Sequence, residues 1–220
     1  LGDVAKHWAV KYAEPFHKQF GRDPTTDDVA AIFAAYSQSN PWSANLLGVR
    51  QFMEGTSTSF HRTMARKAIE YKDGPLAYLE RGGSPKLYDF ASNIAGRLDQ
   101  ATVDRWVGRI MLHTDDYAAS DEAWSASFTL DKKKHRPGYD RMGKIIEELA
   151  DEMGMSPAAL QAIPWVQVVG PRGAVTFTEV AETVQPVRDP EAGKLSWPGS
   201  RLAIEADLER IATERFGYLT

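Results

Sequence analysis

With 220 residues, 43% hydrophobic and 25% charged, the chain suits one generous domain and can bury a real core. Its net charge of −4 excludes a blanket nucleic-acid coat but leaves room for a local basic face, because DNA affinity depends on phosphate contacts where they occur. Cysteine is absent, which excludes disulfides, iron–sulfur clusters and thiolate zinc sites.

No apolar run approaches the ~18 residues that a membrane span needs, so no membrane partner is expected. The opening LGDVAKHW is charged and lacks an apolar signal core, and Leu1 reads as a trimmed start. A soluble, cytoplasmic monomer without metal or cofactor is the expectation.

In chain order, Asp3 to Phe20 carries Val4, Trp8, Val10, Tyr12 and Phe16 roughly on one helical face and stops at Gly21. Pro15 is expected to kink or split it. DPTTDD then supplies Pro24, a hydroxyl cap at Thr25 or Thr26, and first-turn acids. Val29 to Tyr36 (VAAIFAAY) is apolar all round, which predicts a helix at the centre of the domain.

SQSNPWSANL, Ser37 to Leu46, follows that helix, and Pro41 restarts a helix over Trp42 to Met53. The segment fits a helix corner capped by Ser and Asn. It fits equally a pocket wall, where Gln38, Asn40 and Asn45 read a base edge and Trp42 offers a stacking face. Glu54 to Ser59 reads as a loop. Phe60 to Lys72 reads as an amphipathic helix with Arg62, Arg66, Lys67 and Lys72 on a solvated side.

Leu79 to His113 is the centre of the functional argument. It opens on Gly82-Gly83, passes Lys86, and continues as a helix with Leu87, Phe90 and Ile94 on one face. After a break at Gly96 to Gln100 comes VDRWVGRI, with Asp104 at a helix N-terminus. Trp106, Val107 and Ile110 are expected inward, Arg105 and Arg109 outward. Further on, DKKKHR (Asp131 to Arg136) is the densest basic run, and it suits either a solubilising loop or a phosphate clamp through Lys132, Lys133 and Lys134. Tyr139 to Met153 predicts a helix that Gly154 ends, and Ala158 to Trp165 another. Val166 to Thr183 alternates around Gly170-Pro171-Arg172-Gly173 and predicts a β-hairpin. A last amphipathic helix is expected over Arg201 to Phe216.

An aspartate at a helix start is commonly a cap worth roughly 1 kcal/mol. Asp104 also suits cleavage of an N-glycosidic bond, where a carboxylate stabilises the developing oxocarbenium charge or activates water. The Gly82-Gly83-Ser84 turn opening a helix suits an anion such as a DNA phosphate. Lys86 is then a phosphate contact, a Schiff-base nucleophile if desolvated, or a solvated surface lysine. Other chemistry finds no support. The histidines (His7, His17, His61, His113, His135) lack metal-ligand spacing, and no P-loop or Gly-x-Ser-x-Gly pattern occurs.

L-E-R-G-G-S-P-K, the eighteen residues from Lys86 to Asp104, and V-D-R-W-V-G-R-I together resemble the helix–hairpin–helix DNA glycosylase superfamily. The resemblance implies Asp104 as catalytic carboxylate, the turn at 82–86 as the DNA-gripping hairpin, and Lys86 at the lyase lysine of bifunctional members. With AAYSQSNPWSANL and QAIPWVQV, the chain is also similar to phage-type relatives, including the alpha-glutamyl/putrescinyl thymine pyrophosphorylase group. The expected architecture is therefore mostly α. A helix–hairpin–helix DNA glycosylase-like helical domain spans 1–165, and a small C-terminal β-hairpin plus helix, 166–220, packs on it.

The expected activity is excision of a modified pyrimidine, hypermodified or glucosylated, flipped out of duplex DNA to leave an abasic site. The alternative is a base-modifying transferase of the thymine pyrophosphorylase type. Asp104 and Lys86 are the catalytic candidates, and Gln38, Asn40, Trp42 and Asn45 would contact the base. Gly82, Gly83, Ser84, Arg105, Arg109 and Lys132 to Lys134 would hold DNA.

Overall fold

The structure, a computed structural model, describes residues 2–38, 42–82, 84–103, 107 and 137–169. This part is mostly helical and contains no strand among the described residues. Its helices are α1 (Gly2–Lys11), α2 (Ala13–Phe20), α3 (Thr26–Ser37), α4 (Trp42–Met53), α5 (His61–Ile69), α6 (Pro75–Arg81), α7 (Pro85–Ile94), α8 (Pro137–Met153) and α9 (Pro157–Val169).

α3 is the hub, packing against α1, α4, α5, α6 and α7. Residues 28–36 are all buried; for 29–36 this is what the apolar run predicts, and Asp28 joins them. Its four alanines (Ala30, Ala31, Ala34, Ala35) have no exposed surface, and their small side chains let several helices approach one axis. Larger side chains fill the spaces between: Trp8 meets Phe33 edge-on at 5.1 Å, and Phe52 lies 6.1 Å from Tyr36.

The start of α3 follows from DPTTDD. Thr25 is extended, and its hydroxyl accepts from the Asp28 N–H while the Asp28 carboxylate accepts from the Thr25 N–H, a reciprocal cap. Before it, Gly21 ends α2 in the left-handed region at φ 70°, donating its N–H to the His17 carbonyl at 2.8 Å.

Pro15 splits the first helix in two, one of the two outcomes expected of it. The break lies at Tyr12 (φ −109°, ψ 17°), and Pro15 sits in the first turn of α2. Proline has no N–H for the carbonyl four residues earlier, so the ladder fails at Lys11 and the chain turns there. α5 is shorter than expected, ending at Ile69 and leaving Lys72 in the following turn. α6, led by Pro75, is a helix the sequence reading did not assign.

α9 corrects the C-terminal expectation. It runs through Val169, so Val166 to Val169 are helical where a strand was expected, and the boundary at 165 falls inside a helix. Valine's strand preference is weak against a helix already propagating from Pro157. The rest of the expected hairpin, and the helix at 201–216, lie outside the described residues.

At Gly48, α4 leaves no room for a side chain against α3. A Cβ there would stand 2.3 Å from Tyr36 Cδ1 and 2.7 Å from Cε1. Tyr36 is 1% exposed and its hydroxyl is bonded to Ser57 Oγ at 2.6 Å, so the ring has nowhere to go. Gly48→Ala is expected to cost about 2–3 kcal/mol in urea denaturation, the usual penalty for overpacking. A cost below about 0.5 kcal/mol would mean that α3 and α4 separate freely.

Candidate functional site

Beside the main core, the chain after α7 forms a second apolar cluster, which α7 meets through polar side chains. Ala101, Val103, Val107, Tyr139 and Ile146 are buried there, with Met142 and Leu160 packed on them. α7 faces both clusters. Leu87, Ala91 and Ile94 enter the first, while Asp89, Ser92 and Asn93 are buried polar residues of the same helix. Positions i, i+3 and i+4 share one helix face.

Asp89 is 8% exposed, and its Oδ2 accepts a 2.5 Å hydrogen bond from the Tyr139 hydroxyl on α8. That same hydroxyl oxygen accepts the Val103 N–H at 3.3 Å. One turn on, Asn93 Nδ2 donates to Thr102 Oγ1 at 3.0 Å, both side chains buried. Asn93 Oδ1 and Ser92 Oγ are buried without a partner among the described residues. Burial pushes the Asp89 carboxyl up to about 6. The Tyr139 hydrogen bond pulls the other way, while Glu147, Asp140 and Asp99 add to the rise.

Sequence reasoning missed this cluster, although D-x-x-S-N at helical spacing was there to read. In an amphipathic helix such residues normally face water. Only a second apolar layer on that side buries them.

The expected site residues fall in several places. Asp104, Arg105, Arg109, Gly83, Asn40 and Lys132 to Lys134 lie outside the described residues, and Trp42 is described only as the first residue of α4. Val103, directly before Asp104, has no exposed surface. Lys86 is exposed at the second position of α7. A solvated lysine suits a phosphate contact better than nucleophilic chemistry, which calls for desolvation.

The expected anion cradle is reduced. Gly82 is right-handed (φ −65°) and its N–H is bonded to Tyr78 O, Pro85 has none, and the Leu87 and Tyr88 N–H groups go to Ser84 O. Ser84 itself makes no side-chain cap.

The expected pocket wall divides. Gln38 folds back, its Nε2 donating to Ala35 O at 3.3 Å and lying 2.9 Å from Met64 Sδ. Asn45 is 1% exposed, with Oδ1 unpartnered among the described residues. Nearby, burial lowers the pKa of His61, whose ring lies 5.6 Å from that of Tyr36; a backbone hydrogen bond at Ala35 opposes the shift. Among the described residues no group of three or more His, Asp or Glu is arranged to hold a metal ion, and no helix is long and apolar enough to cross a membrane.

The arrangement defines a mostly helical protein with a buried carboxylate–phenol pair between two apolar clusters. By sequence the chain belongs to a family of unknown function (DUF7178), whose model matches residues 4–172. No curated protein and no solved structure matches it.

Proposed function

We propose that the protein is a DNA N-glycosylase that excises a modified pyrimidine, hypermodified or glucosylated, after flipping it from the duplex. The observation that carries this reading is the anchoring of Val103. The residue before Asp104 is wholly buried, and its N–H is held by a tyrosine hydroxyl fixed on Asp89. A carboxylate that stabilises a developing oxocarbenium ion needs such a rigid support. Also in keeping with the reading, α6 and α7 are joined by only residues 82–84, and Lys86 is exposed beside that turn.

In this reading Asp104 is the negative charge beside C1′. The C1′–N bond breaks, water supplies its hydroxyl to C1′, and its proton passes through Asp104 to the departing base. Asn40 and Trp42 contribute to recognition of the flipped base, while Gln38 and Asn45 support that corner from within the packing.

The test is incubation of the pure protein with phage DNAs of differing base chemistry, followed by nucleoside mass spectrometry and an abasic-site assay. A free modified base with matching abasic sites is expected, reduced on the order of a hundredfold or more in Asp104→Asn. Release unchanged in that variant, or no product from any DNA, overturns the proposal. An intact nucleoside of altered mass assigns the protein to the transferase chemistry instead.

A further inference from the structure

α5 reads HRTMARKAI, with Arg62, Arg66 and Lys67 exposed and no acidic residue within it. In a chain of net charge −4, such a concentration of one sign is a local feature. Arg62, Thr63, Arg66, Lys67 and Glu70 line one shallow surface groove. Arg66 is held, donating to Glu70 at 2.7 Å with its guanidinium 5.6 Å from the centre of the Phe20 ring. Arg62 and Lys67 have no ion-pair partner among the described residues.

Phe60 stands at the head of this helix, 81% exposed, its ring 4.6 Å from that of His61. Leaving an aromatic ring in water is unfavourable, and the basic groove beside it gives the ring a partner chemistry. Cations that follow a phosphate chain, beside an aromatic on which a base can stack, are the parts of a surface for unpaired nucleic acid.

We propose that the outer face of α5 is a nucleic-acid contact strip, with Arg62 and Lys67 on the sugar–phosphate backbone and Phe60 stacked on an unpaired base. Charge complementarity and the exposed ring favour this occupant over an acidic protein, which offers carboxylates but no base to stack. The strip rests on the reading that nucleic acid is the partner and not on excision.

Fluorescence anisotropy of end-labelled single-stranded and duplex DNA, measured over a series of salt concentrations, tests it. Arg62→Glu/Lys67→Glu is expected to weaken binding at least tenfold and to reduce the slope of log affinity against log salt by about 2. Phe60→Ala is expected to weaken single-strand binding on the order of tenfold with the slope unchanged. Arg141→Glu/Lys144→Glu, the same charge change on exposed side chains of α8, serves as control.

Variants that bind like the parent, a control that loses as much, absence of DNA binding, or equal competition by polyglutamate would each overturn the strip. Binding through the strip without base release would count against the glycosylase reading and leave the strip standing. Base release with no effect of the α5 variants would do the reverse.

Discussion

Asp28→Ala is expected to cost about 3 kcal/mol of folding stability. The carboxylate has no exposed surface and accepts four hydrogen bonds. Arg22 Nη1 and Nη2 approach at 2.6 and 2.7 Å, and the Thr25 N–H and hydroxyl each at 2.7 Å. Alanine would remove the reciprocal cap of α3 and leave the Arg22 guanidinium with only the Asp23 and Ile69 carbonyls, at 3.2 and 3.3 Å. Because Arg22 is 42% exposed, water recovers part of its loss, which places the estimate at the low end for a broken pair. Asp28→Asn keeps the shape but loses the charge and one acceptor, and about 2 kcal/mol is expected. Urea denaturation of both variants measures this, and a loss under about 1 kcal/mol for alanine would reduce the network to an ordinary cap.

Asp89→Asn is expected to change sign with pH. The folded chain keeps a proton on Asp89 up to about 6, whereas the ordinary value is 3.8. Between those values the folded state binds more protons than the unfolded one, so this group's contribution to stability falls as pH rises through the window and levels off above it. A rise of about two units corresponds to about 3 kcal/mol of destabilisation once the carboxyl is ionised. Asparagine is uncharged, and its Oδ1 still accepts from Tyr139. The variant should therefore be about 1–3 kcal/mol more stable than the parent near pH 8 and no more stable near pH 4. Melts at both pH values decide it. An equal loss at each would show that the pair depends on the carboxylate's charge.

Much of the fold could be read where a local rule and the tertiary surroundings agree. VAAIFAAY is buried on all sides because nothing in it needs water, and Pro41 precedes a helix over Trp42–Met53 as expected. Of the two threonines offered as caps, only Thr25 has Asp28 at the spacing that returns the hydrogen bond. What failed to show depends on partners distant in sequence. Tyr139 lies 50 residues from Asp89, and no local pattern predicts that a tyrosine of α8 will cover a carboxylate of α7. Likewise, whether Val166 to Val169 extend a strand or a helix depends on what precedes them more than on their own preference. For the candidate site, Lys86 was read as a residue by a turn and lies there, but the turn's N–H groups are largely committed to carbonyls. Gln38 and Asn45 were read by residue type, and packing directs them against α5 and into the interior.

The position of α7 between two apolar clusters has a consequence for how the molecule opens. Among the described residues the first cluster draws on seven helices, whereas the second holds five buried apolar residues. Opening free energies follow buried apolar area, so by the contacts of the described residues α8 and α9 are expected to open more readily than the helices around α3. Their parting from α7 would return Asp89 to water and to its ordinary acidity. A rise in pH from about 4 through about 6 therefore eases this sub-global opening by as much as it eases global unfolding, and backbone amides of α8 are expected to exchange faster than those of α3 on both sides of that window.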